Sequence, residues 1–455
     1  MKLIKLFKKK EEGEVKTSAS GHYLTGKEVR AIAKANNKEM RRLEQAKRRK
    51  LPVSAYTTQM KDDGNLLEIE DLHSYFFTDQ GVVKAVNGVS FEVPMNSTVG
   101  VVGESGCGKS VTSMSVMRLL QGPSGQIVSG SIRFKALDFK RDENGKLIPV
   151  YVRDDKGDIM YEPVLDKAGN PRKDSNGDAI MRPVQARDEN GIGIYEKEEK
   201  VFDIAKMPIH EMYRLRGRQM SMVFQEPMTS LNPVFTIGNQ LDEVTLIHVP
   251  DATKEFAKKR SIEMLNLVGI AMPERVYSSY PHELSGGMRQ RVMIAMALAC
   301  EPRLIIADEP TTALDVTIQA QILDLFNDLK RKINGSILLI THDLGVIAEM
   351  ADYVVVMYAG KIIERGTVSE IFHNPCHPYT QGLQKSKPTM KSKVDQLFNI
   401  PGNVPNPINM PDNCYFKERC SKCIAKCSGE YPNMIRISPT HYVACHLYDD
   451  QEWRG

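Results

Sequence analysis

The 455-residue chain has no apolar run of about 18 residues, the length a helix needs to cross a bilayer. Its longest candidate, Val292 to Cys300, is short and follows Arg289 and Arg291. The opening MKLIKLFKKK lacks the 7–15-residue apolar core and small-residue cleavage site of a secretory signal. A cytosolic protein is therefore expected. A bulk charge excess is also missing: 61 Lys/Arg face 57 Asp/Glu, a formal balance of +4. That near-balance hides an asymmetry, because residues 1–50 hold 16 Lys/Arg against 6 Asp/Glu and the rest of the chain is net acidic. Cysteine is sparse through most of the length, at 107, 300 and 376, and then crowds at 414, 420, 423, 427 and 445. In a long cytosolic chain such a cluster points to metal binding more than to disulfides. What is present is ordinary for a globular protein, 41% hydrophobic and 26% charged, with length enough for two or three domains.

Residues 1–63 read as a basic extension. A helix is expected from about Lys27 to Lys50, with a weak apolar stripe of Val29, Ile32, Ala33 and Leu43, ended by Leu51-Pro52. The bland reading is a solvated tail. The sharper one is contact with anionic lipid headgroups, and the absence of interleaved aromatics argues against nucleic acid. Strands are expected at Leu66–Leu72 and Val82–Val93 around the turn Asp79-Gln80-Gly81, and at Thr98–Val102, with a helix over Val111–Leu120. Residues 138–200 read as an insertion of hairpins. Turn clusters begin at Asp142, Asp154, Asp174 and Asp188, and RDENG occurs twice, from Arg141 and Arg187. No complete twelve-residue calcium loop is formed. Helical text at His210–Arg218 and a strand at Met220–Phe224 follow, and residues 250–300 are mostly helical. Leu304–Ala307, Ser336–Ile340 and Val354–Met357 are apolar strands of the kind a doubly covered parallel sheet uses.

The segment Gly103-Glu104-Ser105-Gly106-Cys107-Gly108-Lys109-Ser110 satisfies G-x-x-x-x-G-K-[ST] between a strand and a helix. Backbone amides of such a loop turn toward phosphate oxygens, Lys109 adds a point charge, and Ser110 offers a hydroxyl to Mg²⁺. An acidic partner stands at the end of an apolar strand, Asp308 for the metal and Glu309 for the attacking water. Leu284-Ser285-Gly286-Gly287 opens the helical run 288–300 as a second anion cradle. One γ-phosphate can fill both cradles only if they meet across two subunits.

With these motifs in this order, over roughly 66–137 and 201–372, the chain resembles ATP-binding cassette subunits. The resemblance implies an α/β P-loop NTPase with an antiparallel β subdomain and a helical signature subdomain, followed by a small Cys-rich C-terminal segment. The corresponding division is 1–63 for the extension, 64–372 for the cassette and 373–455 for the C-terminal region. It implies ATP and Mg²⁺ as ligands, held by residues 103–110 with Val111, by Asp308 and Gln225, and by Ser285, Gly286 and Gly287 of a neighbouring subunit. By resemblance Gln225 is the Q-loop glutamine, also a metal contact. Asp315 is the D-loop residue, and His342 is the switch histidine that acts with Glu309, Lys109 and Gln225 in hydrolysis. Phe76 fits best as the adenine-stacking aromatic, with Tyr75 its rival.

The likeness narrows further. Phe224-Gln-Glu-Pro-Met-Thr-Ser-Leu-Asn-Pro233, Asn374-Pro-Cys-His-Pro-Tyr-Thr380 and Ile400-Pro-Gly402 are similar to segments of D-type oligopeptide and dipeptide permease ATP-binding subunits. In that family Cys414, Cys420, Cys427 and Cys445 suit a [4Fe–4S] cluster. Cys423 departs from the pattern and leaves zinc open, with His441 or His446 as added ligands. The resemblance implies peripheral attachment at the cytoplasmic face of the membrane. Its implied partners are two permease subunits, a homologous F-type ATP-binding subunit and, indirectly, an extracellular peptide-binding protein. The alternatives are uptake of another small solute, such as dipeptide or nickel, and a soluble cassette ATPase outside transport.

Overall fold

The computed structural model describes residues 15–16, 23–226, 230–311, 316–333, 335–386, 399–408, 410–451 and 453. The central sheet has the order Met220–Val223, Leu304–Asp308, Ser336–Ile340, Thr98–Val102, Tyr353–Tyr358, Lys361–Thr367, Tyr442–Val443, Ile435–Arg436. The first five strands run parallel and the last three antiparallel. Every residue of Thr98–Val102, Leu304–Asp308 and Ser336–Ile340 is buried, which is why these strands read as unbroken apolar runs.

Each face of this sheet builds one core. Val99, Val101, Ile306, Leu338 and Ile340 pack toward the antiparallel sheet with Phe91, Phe134 and Phe202. Ile305, Ala307, Ile337, Leu339 and Val354 pack toward the helical side with Leu241, Leu265, Val292 and Phe326. The antiparallel sheet has the order Thr57–Thr58, Lys197–Asp203, Gly125–Phe139, Asn65–Thr78, Gly81–Pro94. The helices Ile237–His248, Lys254–Leu267 and Gly286–Leu298 are started by Thr236, Thr253 and Ser285, whose hydroxyls accept from the amides of Asn239, Phe256 and Met288.

Three features depart from expectation. The helical part of the basic extension, Gly26–Arg48, is not free in solvent: it docks on the antiparallel sheet. There Asn36 Nδ2 donates to Thr78 O at 2.7 Å, and Gln126 Nε2 donates to Glu44 Oε2 at 3.0 Å. The expected cassette start at residue 64 falls inside the packed unit, since Tyr56 is fully buried against Phe202. The C-terminal region shares the main core through Tyr379, Ile400 and Phe416 and extends the central sheet with its own two strands.

The insertion leaves the antiparallel sheet at the pair Phe139↔Lys197. It is a ladder of short bridges and one small hairpin, Tyr161–Pro163 with Met181–Pro183. Asp166 forms a turn that the sequence reading passes over. At Asp142, Asp154, Asp166, Asp174 and Asp188 one carboxylate oxygen accepts amides two and four residues on. One oxygen of each carboxylate is thus engaged in shaping its turn.

Candidate functional site

The strand Thr98–Val102 delivers the glycine-rich loop, and the helix Lys109–Val116 carries it away. Only glycine fits at two of its positions. A Cβ on Gly103 would lie 2.3 Å from Met357 O, and one on Gly108, at φ +102°, would lie 2.2 Å from Ala85 O. Lys109 is buried, and its Nζ donates to the carbonyls of Gly103 and Glu104 at 2.8 and 3.1 Å. Cys107 is buried, and burial pushes its thiol above the usual range.

Asp308 ends the parallel strand Leu304–Asp308, one strand removed from Thr98–Val102, and meets this loop. Ser110 Oγ donates to Asp308 Oδ1 at 2.9 Å, and Ser113 Oγ reaches Oδ2 at 3.4 Å. Burial raises the Asp308 carboxyl above the ordinary carboxylate range, and the Ser110 bond opposes it. A hydroxyl and a carboxylate side by side form the hard-oxygen donor set that Mg²⁺ takes.

Glu309 sits one residue beyond the strand at φ 47°, a conformation that costs an L-residue energy and recurs at functional sites. Its amide donates to Ile340 O at 2.8 Å, locking the turn. Each of its oxygens meets a different neighbour: Gln225 Nε2 donates to Oε2 at 3.0 Å, and His342 Nδ1 stands 3.3 Å from Oε1. Three strand ends thus converge on one carboxylate, at the C-terminal edge of a parallel sheet where ligands of α/β folds bind. Behind it Gln290 Nε2 donates to Pro310 O at 2.7 Å, tying the signature helix to this corner.

The structure brings Lys109, Ser110, Gln225, Asp308, Glu309 and His342 together. Ser285 and Gly286 lie exposed at the start of the helix Gly286–Leu298, on the helical layer. Phe76 rests on Gly125, where a Cβ would come within 2.8 Å of its ring. The Tyr75 hydroxyl is bonded to His73 and Asn87. Asp315 lies outside the described residues, as do residues 227–229 of the segment after Gln225.

In the C-terminal region Cys414, Cys420, Cys427 and Cys445 gather, so that Cys414 and Cys445 feel neighbouring thiols of the set. Burial first, then these neighbours, raise Cys414 to about 11 and Cys445 to about 12. Cys423 is exposed. Among the described residues no three of these sulfurs lie within 4.8 Å of one another. A single zinc ion, with Zn–S near 2.3 Å, requires that closeness. The histidines weighed as extra zinc ligands are committed elsewhere: His446 to Asp449 and Glu430 O, His441 to Glu364.

Sequence reasoning passed over the group that His441 joins. Glu364, Cys376 and His441 are all buried, with ligand atoms within 4.8 Å of one another. Glu364 accepts from the amides of Cys376 and His377 at 2.6 and 2.9 Å and bonds His441 Nε2 at 2.8 Å. It pins the segment after the cassette to the central sheet. Cys376 and His441 are 65 positions apart, and no spacing rule connects them.

Two family models match the chain: "ABC transporter" over residues 86–168 and 189–312, and "Oligopeptide/dipeptide transporter, C-terminal region" over residues 363–427. The chain is 42% identical over 386 residues to the oligopeptide transport ATP-binding protein AppD of Bacillus subtilis (strain 168), covering 85% of this chain and 98% of AppD. It is 44% identical over 383 residues to OppD of the same organism, also an oligopeptide transport ATP-binding protein, covering 84% of this chain and 88% of OppD. The dipeptide transport ATP-binding protein DppD, again from that organism, is 42% identical over 386 residues, with 85% and 96% covered.

Proposed function

The chain belongs to the family of ABC transporter ATP-binding subunits that serve oligopeptide and dipeptide transport, and from that premise we propose that it hydrolyses ATP to power peptide import through membrane permease subunits. The observation that carries the proposal is the corner at Glu309. A carboxylate held on one oxygen by Gln225 and approached on the other by His342 stands one residue from the Ser110–Asp308 pair.

The loop amides and Lys109 hold the phosphates, and Ser110, Asp308 and Gln225 present oxygens to the metal. Magnesium held by these residues would supply charge neutralisation for the transferred phosphoryl group. Glu309 orients and polarises the attacking water. His342 and Gln225 fix its carboxylate so that little reorganisation is needed at the moment of reaction. His342, with an exposed side chain, also contacts the γ-phosphate. Closure of the site needs Ser285, Gly286 and Gly287 of a second ATP-binding subunit, a homologous F-type chain; Ser285 and Gly286 lie exposed at the start of their helix. Asp315 reads the opposite site, and Phe76 stacks on adenine.

As expected of an ATP-binding subunit that serves permeases, attachment is read as peripheral, at the cytoplasmic face; no helix among the described residues is long and apolar enough to cross a membrane. Val234 and Phe235, 74% and 51% exposed just after the Gln225 segment, suit contact with a permease helix. The exposed Arg30, Lys34, Lys38, Arg41 and Arg42 of the docked N-terminal helix suit the anionic leaflet beside it. Cys414, Cys420, Cys427 and Cys445 would hold a thiolate-ligated metal group, a [4Fe–4S] cluster before zinc, which would tie down a segment with little apolar core of its own. Iron, zinc and acid-labile sulfide analysis of anaerobically purified protein checks this, and metal-free protein that is fully folded sinks it.

Replacing Glu309 by Gln tests the main proposal. ATP binding is expected to persist while turnover in the assembled complex falls by about a hundredfold or more. Hydrolysis at the wild-type rate in that variant removes Glu309 from its role.

A further inference from the structure

The phosphate loop carries a carboxylate of its own, Glu104, close to where a triphosphate must sit. Left bare, it would repel ATP, because like charges a few ångströms apart in a partly desolvated site interact well above thermal energy. Arg419, 315 positions away in the Cys-rich region, grips it with both arms: Nη1 donates to Oε2 at 2.6 Å and Nη2 to Oε1 at 2.9 Å. The Glu104 amide donates to Tyr379 Oη at 2.8 Å. Arg419 is itself fixed, donating from Nε to Pro401 O at 2.8 Å and from Nη1 to Tyr358 Oη at 3.4 Å. Tyr358, Tyr379 and Phe416 pack edge-to-face beside it, with centroids 4.8 to 5.4 Å apart. The Glu104 carbonyl also holds Lys109 Nζ, so the position of Glu104 sets the direction of the loop's one ammonium group.

We propose that Arg419 and Tyr379 are positioning residues of the ATP site, through which the C-terminal region neutralises Glu104 and holds the phosphate loop in its nucleotide-binding shape. The proposal rests on the nucleotide-binding reading above and extends it. It gives the C-terminal region a task inside the reaction. Arg419 directly precedes Cys420, and Phe416 lies two residues after Cys414, so the fold of the thiol segment delivers the arginine.

The test compares MgATP affinity, KM and kcat for the full-length subunit with its partner subunits. Arg419→Gln is expected to raise the Kd and KM for MgATP roughly tenfold, with kcat at saturating ATP changed much less. Adding Glu104→Gln to that variant is expected to return affinity to within about threefold of wild type, because the repelling carboxylate is gone. A double variant as weak as Arg419→Gln alone overturns the proposal, since a merely structural arginine would not be rescued by removing a charge. Should Arg419→Gln fail to fold, Glu104→Gln alone decides: affinity equal to or tighter than wild type supports the neutralising role, and weaker affinity overturns it. Tyr379→Phe is expected to weaken affinity by a few-fold, and an unchanged Kd removes Tyr379 from the role. Absence of ATP binding by the wild-type protein would instead strike the underlying nucleotide reading.

Discussion

At the scale of single residues, the chain spends buried charge where it must fix geometry. Glu364 is the clearest case: its side chain is fully buried, and every partner it has belongs to the segment after the cassette. Burial opposes protonation of His441, but bonds to Cys376 and Glu364 outweigh it and raise its pKa from 6.5 to about 10. A raised folded-state pKa means that the stabilisation is complete below the unfolded value, near 6.5, and is lost as pH climbs through 10. Thermal melts of the wild type and of His441→Gln between pH 6 and 11 should show a gap that is widest at the acid end and closes toward pH 11. A gap independent of pH would mean that His441 is not the protonated partner of Glu364. His377 beside it behaves oppositely, burial lowering it to about 4, so it stays neutral and accepts the Tyr379 amide through Nδ1.

At the scale of elements, legibility followed burial. Thr98–Val102 and Ser336–Ile340 are readable to the residue, because strands buried on both faces show as apolar runs with no polar interruption. Gly125–Phe139 is the longest strand among the described residues, yet its sequence does not read as one. Arg133, Lys135 and Asp138 interrupt it, and their partners lie on other elements: Glu68 and Glu70 for Arg133, Arg214 for Asp138. The phosphate loop, Asp308 and Glu309 were legible because motif spacing carries their chemistry. The Glu104–Arg419 pair was not, because nothing local marks a contact spanning 315 positions. The insertion was legible as hairpins, and the structure adds where it leans: Tyr195 bonds Asp251, and Lys259 Nζ donates to Asn190 Oδ1 at 2.8 Å, both across to the helical layer. Its stem closes on the adjacent pair Phe139↔Lys197, so a two-residue Asn-Gly turn can replace residues 140–196. We expect that shortened protein to fold and to keep its ATPase rate within about twofold. Its melting point should fall by only a few degrees, since exposed polar contacts contribute about 0.2–1 kcal/mol each. Loss of ATP hydrolysis would show that the leaning contacts matter to the reaction and not only to the decoration.

At the scale of the molecule, charge is sorted by position. The Lys and Arg of the helix Gly26–Arg48 are presented on a docked element, because Asn36 and Glu44 bond the sheet beneath while Arg30, Lys34, Lys38 and Arg41 recur every three or four residues on the outer side. On the membrane-attachment reading proposed above, this fixed row of cations would add surface attraction to the permease contact. Each basic residue near an anionic bilayer contributes about 1 kcal/mol, and the attraction fades beyond a Debye length of about 8 Å at physiological salt. The full chain should therefore co-sediment with phosphatidylglycerol-containing vesicles and not with purely zwitterionic ones, and raising salt toward 0.5 M should release it. Reversing Lys34, Lys38 and Arg41 to Glu should weaken that binding on the order of a hundredfold while leaving ATP affinity unchanged, since none of the three touches the phosphate loop. Equal binding to both kinds of vesicle, or no loss in the triple variant, would take the helix out of membrane attachment. Retention by RNA or DNA at 0.15 M salt, in competition with the anionic vesicles, would reassign the same row of charges to nucleic acid.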